Sequence, residues 1–133
     1  MNIFVLDRSP GIAARMQCDR HVVKMTLESA QMLATAVNEL GGQTPYKSAH
    51  LNHPCSVWAR ETLGNFIWLY DHGMALAKEY TRRYGKVHKS EAVIQECMDQ
   101  CRDLSLYNLK RTPHPLCMPD EYKSDDAVES YRR

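Results

Sequence analysis

The sequence predicts a mainly α-helical fold: one compact, single-domain helical bundle over residues 1–133, with a short extended segment at its amino end. Two long segments, from Asp19 to about Leu40 and from Asn65 to Gly85, repeat apolar residues at steps of three and four. That period is typical of a helix with one buried face. A glycine follows each segment, as is common just past the end of a helix. A chain of 133 residues has room for one such core.

The residues before the first long helix predict two short elements. Residues 2–7 alternate their side chains as a short strand or an extended segment does. Ser9 and Pro10 pair a capping residue with a first-turn proline, so we expect a short helix to about Met16. Asp19 is a plausible N-cap of the long helix that follows. The expected inward side chains of that helix are Val23, Leu27, Ala30, Leu33 or Ala34, Val37 and Leu40.

The second half of the chain predicts further helices around a loop and an irregular tail. Residues 41–54 indicate a loop with two histidines, and Pro54 suits the first turn of a helix that Gly64 can kink. A third helix is expected from Ser90 to about Arg102, and the last nine residues favour a short one. The proline-rich stretch 112–123 is expected to be irregular.

Composition excludes several classes of protein. The 17 basic and 16 acidic residues nearly cancel, which argues against coating nucleic acid by bulk charge but leaves room for a local basic groove. No apolar run has the length of a membrane span, and the opening shows no signal-peptide pattern. The five cysteines are an odd number and favour reduced thiols, so we expect a cytoplasmic protein.

One face of the first long helix carries the most informative pattern. His21, Lys24 and Glu28 stand at positions i, i+3 and i+7, so they project from one side of the helix, together with Gln31 further along. A glutamate beside a histidine and a lysine is suited to acid–base work. The alternative is a solvated face on which Lys24 and Glu28 form a simple ion pair.

A basic patch is expected at the end of the second long helix. Arg82, Arg83 and Lys86 are interleaved with two tyrosines, which are the residue types that contact phosphates and stack on bases. The alternative is a solvated helix end, where cations favour the dipole in any case.

Aromatic and polar residues also mix between positions 57 and 70. Arg60, Asn65 and Trp68 are candidates to reach a ligand pocket. The alternative is that the tryptophans are core residues with one polar group.

No metal or cofactor is expected from the motifs. Cys97 and Cys101, with His88 and His114, have poor zinc-site spacing, and Cys18 with His21 is no better. The chain has no glycine-rich phosphate loop and no Gly-x-Ser-x-Gly elbow.

The segment CDRHVVKMTLESAQ resembles the start of the phage pyrimidine-dimer DNA glycosylases of the endonuclease V type. Those enzymes have an Asp-x-His near the start and a key glutamate seven residues after the histidine, and here these are Asp19, His21 and Glu28. Residues 66–86 are similar to the family's second long helix, with a basic end before a glycine. The resemblance extends over about residues 1–90 and implies a helical DNA-repair enzyme, in an infected bacterial host if the chain is phage-encoded.

The resemblance implies base excision by a terminal amine assisted by Glu28. The amine attacks the sugar C1′, expels the base and leaves a Schiff base. Here Asn2 follows Met1, and because a residue of that size usually leaves the methionine in place, the amine is expected on Met1, with Asn2 beside it. The family's arginines that flank the glutamate are Leu27 and Gln31 here, so Lys24, Arg20 or Arg60 would have to hold the phosphate. Along the DNA backbone the expected contacts are Arg82, Arg83 and Lys86.

Two other functions stay open from the sequence. The same pocket can act on a free or modified nucleotide, which the near-zero net charge suits. A non-catalytic protein that binds and inhibits another protein is the third possibility, and its mark would be an exposed apolar patch.

Overall fold

The computed structural model describes residues 2–102, 104, 106, 108–118, 120–124 and 126–132, and these contain helices but no strands. The prediction of a mainly α fold is confirmed, and the segment 2–7 forms neither a helix nor a strand. A 3₁₀ turn at Asp120–Tyr122 lies between the last two helices. The α-helices are α1 Pro10–Arg15, α2 Asp19–Glu39, α3 Pro54–Glu61, α4 Leu63–Tyr84, α5 Glu91–Cys101 and α6 Ala127–Arg132.

The two long helices form the centre of the bundle. Helix α2 packs against α3, α4 and α5, and α4 also packs against α1, α3 and α5. At Gly73 of α4, an added Cβ would lie 3.2 Å from both Ser29 of α2 and Ile94 of α5. The missing side chain therefore lets the three helices approach closely. Large buried side chains fill the space between the helices, among them Met32, Leu33, Phe66, Leu69 and Ile94.

Several helix ends lie where the sequence predicts them. The Oγ of Ser9 accepts a hydrogen bond from the amide of Ile12, at 3.3 Å, which caps α1. Gly85 ends α4 in the left-handed conformation, with φ 69°, which a glycine adopts without strain. The short helix at the carboxyl end is present as α6.

Two helix boundaries differ from the prediction. Cys18 is the N-cap of α2, so Asp19 is the first helical residue and favours the helix by its charge instead of by a capping bond. The break between α3 and α4 lies at Thr62, whose backbone is extended. Its Oγ1 accepts a hydrogen bond from the amide of Asn65, at 3.0 Å, and starts a new helix before Gly64 can act as a kink.

The predicted inward face of α2 is wrong at two positions. Val23 is 40% exposed and Leu27 is 39% exposed, whereas Thr26 and Ser29 are buried. The Thr26 hydroxyl donates a hydrogen bond to the Val22 carbonyl one turn earlier, at 2.6 Å, so its burial leaves no polar atom unsatisfied. Small polar side chains thus occupy places that a hydrophobicity pattern assigns to larger apolar ones.

The tail after α5 returns to the amino end of the chain. Trp58 Nε1 of α3 donates to the carbonyl of Thr112, at 3.0 Å. The Tyr131 hydroxyl of α6 donates to Asn2 Oδ1, at 2.8 Å. These contacts hold the first residues between the tail and α3. No helix among the described residues is both long and apolar enough to cross a membrane.

Candidate active site

Glu28 is the central residue of the candidate site. It lies on α2 and is only 7% exposed, although Lys24, one turn earlier, is exposed. Glu28 is therefore not part of a solvated face. A carboxylate held inside a bundle has less competition from water, so its charge acts strongly on whatever group lies beside it.

His21 connects α2 to the amino-terminal segment. Its ring stacks on that of Phe4, with centroids 4.4 Å apart and planes 5° from parallel. Because Phe4 belongs to the segment 2–7, this stack holds the first residues of the chain against α2. The ring of His21 is partly buried by the contact.

The start of α3 places His53 within electrostatic reach of Glu28. His53 is the N-cap of α3, and its Nδ1 accepts a hydrogen bond from the amide of Cys55, at 3.1 Å. Burial lowers the pKa of His53, the charge of His50 lowers it further, and the negative charge of Glu28 raises it. His50 has φ 49°, a left-handed conformation that is uncommon outside glycine and clusters at functional sites.

Asn2 lies beside the same end of α3. Its Nδ2 donates a hydrogen bond to the Cys117 carbonyl, at 3.3 Å, and the Cys55 thiol is 3.8 Å from its Oδ1. Together with the bond from Tyr131, these contacts fix the second residue of the chain near His53. Met1 lies outside the described residues.

Arg60, in the last turn of α3, carries a buried and unsatisfied guanidinium nitrogen. No hydrogen-bond acceptor among the described residues reaches its Nη1. Leaving such a donor without a partner costs free energy, and an acidic oxygen of a ligand would remove that cost.

A groove beside α2 contains a lysine that the sequence did not single out. Leu27 and Gln31 line it together with the loop residues 45–49, which include the exposed Lys47. These are the two α2 positions where the resemblance implies arginines. Lys47 of the loop thus places a positive charge beside Leu27 and Gln31, two α2 positions that carry none.

The basic patch on α4 is partly neutralised. Glu79 is 4% exposed and accepts hydrogen bonds from Arg82 and Arg83. The bonds from Arg82, and then those from Arg83, lower the pKa of Glu79 to about 2, against the effect of burial. Arg83 also bonds to Asp19 of α2, at 2.9 Å. Arg83 therefore links α4 to α2 through its hydrogen bonds, whereas Arg82 and Lys86 are exposed.

Two candidates from the sequence lie in the interior instead of in a cleft. Asn65 donates from Nδ2 to the carbonyl of Trp58 and to the hydroxyl of Thr112, and its Oδ1 accepts from the Thr112 amide. Trp68 is 3% exposed and donates to the carbonyl of Arg8, at 3.1 Å. Both residues join helices to the segments around them, and we leave them out of the site.

The predicted site residues are therefore only partly brought together. Asn2 lies near His53 at the start of α3, the charge of Glu28 acts on His53, and His21 is held to the amino-terminal segment through Phe4. Arg20 is exposed in the first turn of α2. Sequence reasoning missed His53 and Lys47. The available signal for His53 was its place just before Pro54, where a side chain caps a helix.

A family model described as pyrimidine dimer DNA glycosylase matches residues 1–92, which include α1 to α4. The chain belongs to the pyrimidine dimer DNA glycosylase family. The match includes Glu28, His53 and both long helices, whereas the tail after α5 lies outside it. No curated protein and no solved structure matches the chain. Membership in this glycosylase family implies base excision as the activity and DNA as the partner.

Proposed function

We propose that this chain excises pyrimidine dimers from duplex DNA, with Glu28 as its central catalytic group and with a lyase step that nicks the strand. The observation that carries the proposal is the burial of Glu28 within electrostatic reach of His53, a residue at the end of α3 near which Asn2 is also held. A carboxylate there can stabilise the positive charge that develops on the sugar as the base leaves.

The proposed nucleophile is the terminal amine of Met1. An unperturbed terminal amine has a pKa near ~8, so a useful fraction is neutral at physiological pH. Its nitrogen forms a bond to C1′ while the bond from C1′ to the base breaks, and the base leaves with that electron pair and takes up a proton. Opening of the sugar gives a Schiff base. Glu28 then removes a proton from C2′, and the 3′ phosphate leaves.

The DNA backbone is proposed to follow the cations on the surface around this site. Arg20, Lys24 and Lys47 are exposed, and Arg60 offers a buried donor without an acceptor in the described chain. Arg82 and Lys86 are proposed to extend the contact along the end of α4, and Gln31 and His21 to bond to the sugar or to base edges. Because each phosphate contact releases counterions, affinity for duplex DNA should fall steeply as salt is raised.

The test compares wild type with Glu28→Gln on duplexes that contain a cyclobutane pyrimidine dimer, an abasic site or no lesion. Borohydride trapping reports the Schiff base, and strand cleavage reports elimination. We expect a covalent adduct with wild type on the dimer duplex, and a loss of at least about 10²-fold in cleavage rate for Glu28→Gln, as for removal of an acid–base group. Glu39→Gln, an exposed residue of the same helix, is the matched control and should cleave like wild type.

The proposal fails if Glu28→Gln cleaves as fast as Glu39→Gln while both variants are folded by circular dichroism. If Glu28→Gln does not fold, Glu28→Asp replaces it, since it keeps the charge and shortens the reach. No adduct and no cleavage by wild type on any duplex would also refute the proposal. A salt-insensitive affinity for mononucleotides, with none for duplex DNA, would do the same for DNA as the substrate.

A further inference from the structure

A cluster of metal-ligating side chains joins α3 to the tail of the chain. One ligand atom each from His53, Cys55 and Cys117 lie within 4.8 Å of one another. We propose that these three residues bind a zinc ion. The inference concerns how the tail is attached and uses no step of the glycosylase chemistry, although His53 and Asn2 also belong to the candidate active site.

The separation of the two sulfur atoms fits a shared zinc ion. Cys55 Sγ and Cys117 Sγ are 3.8 Å apart. Two thiolates at about 2.3 Å from a tetrahedral zinc ion stand about 3.8 Å from each other. A disulfide requires about 2.05 Å, so the two thiols are not bonded and would have to move closer to become so. The spacing therefore already fits coordination and does not fit a cross-link.

The third ligand is the imidazole of His53. His53 Nδ1 accepts the hydrogen bond from the Cys55 amide, so Nδ1 is unprotonated and its lone pair points to the start of α3. Zinc coordination at Nδ1 would replace that bond. Asn2 Oδ1, 3.8 Å from Cys55 Sγ, or a water molecule completes four ligands.

The charges of this set balance in a buried place. Cys55 is fully buried and Cys117 is partly buried. Two thiolates, a neutral imidazole and Zn²⁺ sum to zero, so the ion brings no uncompensated charge into the interior. The soft sulfur and nitrogen donors favour zinc over magnesium or calcium, which prefer oxygen ligands.

The site would fasten two parts of the chain that are 62 residues apart in sequence. His53 and Cys55 lie in the part that the family model matches, and Cys117 lies beyond it. The ion would therefore attach the tail at the position where Asn2 is also held. Binding only to the folded chain, it would raise the unfolding temperature.

The experiment measures metal content and cobalt spectra of the full-length chain. Protein is stripped with a chelator and titrated with Zn²⁺ or Co²⁺. We expect one zinc ion per chain, a rise in unfolding temperature on its addition, and the thiolate-to-cobalt and visible bands of a tetrahedral cobalt site. Cys55→Ser and Cys117→Ser should each lose the cobalt thiolate bands or reduce them by half. Cys97→Ser and Cys101→Ser, buried on α5, are the matched controls and should keep them.

Wild-type protein alone can refute the inference, because the titration needs no variant. No stoichiometric uptake of zinc, or uptake with no thiolate band from cobalt, would overturn it. Cobalt bands that survive unchanged in both Cys55→Ser and Cys117→Ser, or that disappear in the α5 controls, would overturn it as well. If either serine variant does not fold, His53→Gln replaces it. This variant leaves both cysteines, Asn2 and the tail unchanged, and it should weaken zinc binding.

Discussion

Two buried histidines should make the protein sensitive to mild acid. His72 is 1% exposed, and its Nδ1 donates a hydrogen bond to the Pro10 carbonyl, at 3.0 Å. His114 is 8% exposed and stacks on Trp58, with ring centroids 4.3 Å apart. Burial lowers the pKa of His72 to about 4. Burial, with the charges of Arg111 and His72, lowers the pKa of His114 to about 3.

The direction of the effect follows from proton binding in the two states. In the unfolded chain each histidine takes up a proton near its ordinary pKa of ~6.5, whereas the folded chain resists protonation until about pH 4 for His72 and about pH 3 for His114. The unfolded state therefore binds more protons than the folded state below pH 6.5. As a result, the free energy of unfolding decreases as the pH is lowered. Between pH 7 and pH 5 the loss is about 2 kcal/mol for each histidine.

Urea unfolding followed by tryptophan fluorescence and circular dichroism at pH 7, 6 and 5 measures this loss. Wild type should lose about 4 kcal/mol from the two histidines over that range. The variant His114→Phe keeps an aromatic ring between the tryptophans and removes both ring nitrogens, for which the described residues offer no hydrogen-bond partner. Its loss should be about half, and its stability at pH 7 should equal or exceed that of wild type.

The control is His50→Gln, which removes an exposed imidazole from a loop and should keep the full pH dependence. Glu79 does not mask the effect. Because its pKa is lowered to about 2, its contribution is lost only as pH falls below about 4.5. If the free energy of unfolding of His114→Phe decreased between pH 7 and pH 5 as much as that of wild type, the reasoning from burial would be refuted.

Two further substitutions test the packing and the charges. Gly64→Ala would place a Cβ 2.3 Å from the Leu109 carbonyl oxygen, so urea unfolding should show a loss of about 1–3 kcal/mol in the free energy of unfolding. The control Gly11→Ala, whose Cβ would have its nearest atom at 3.8 Å, should show no loss. Equal stabilities of the two variants would contradict the close approach at Gly64. Glu79→Gln removes the negative charge and one of the two oxygens that accept from Arg82 and Arg83, so it should cost about 1.5–3 kcal/mol at pH 7. The stability of this variant should change less than that of wild type between pH 4.5 and pH 2. Glu39→Gln serves as its control, and a Glu79→Gln chain as stable as that control would show that the bonds contribute nothing.

The helices could be predicted because their signals are local. Ser9 with Pro10 starts α1, and Gly85 ends α4, each through a bond or a backbone conformation that involves a few neighbouring residues. The core face of α2 was harder to predict. Its buried Thr26 satisfies its own hydroxyl within the helix, so a hydropathy pattern that excludes threonine from the core rotates the predicted face away from its true direction.

The candidate site likewise has a part that could be predicted from local sequence and a part that could not. The spacing of His21 and Glu28 on one helix is visible in the sequence, because it depends on helical geometry alone. The approach of His53 to Glu28, and of Cys117 to Cys55, depends on how separate segments pack. Spacing rules for zinc sites do not find the proposed cluster, because Cys117 lies 62 residues along the chain from Cys55.

The packing around α2 accounts for two features that look unrelated in the sequence. Residues on a helix are spaced by about 100°, so Leu27 and Glu28 stand at equal angles on either side of the inward direction that Thr26 and Ser29 share. Glu28 is nevertheless buried and Leu27 is 39% exposed, so neighbouring segments cover one side of the helix more than the other. On the less covered side, Leu27 and Gln31 face the loop that carries Lys47. The packing that buries the proposed catalytic carboxylate thus leaves the positions of the missing arginines beside the loop lysine. Under the proposed function, one orientation of α2 would present Glu28 to the reacting sugar and Lys47 to its phosphate.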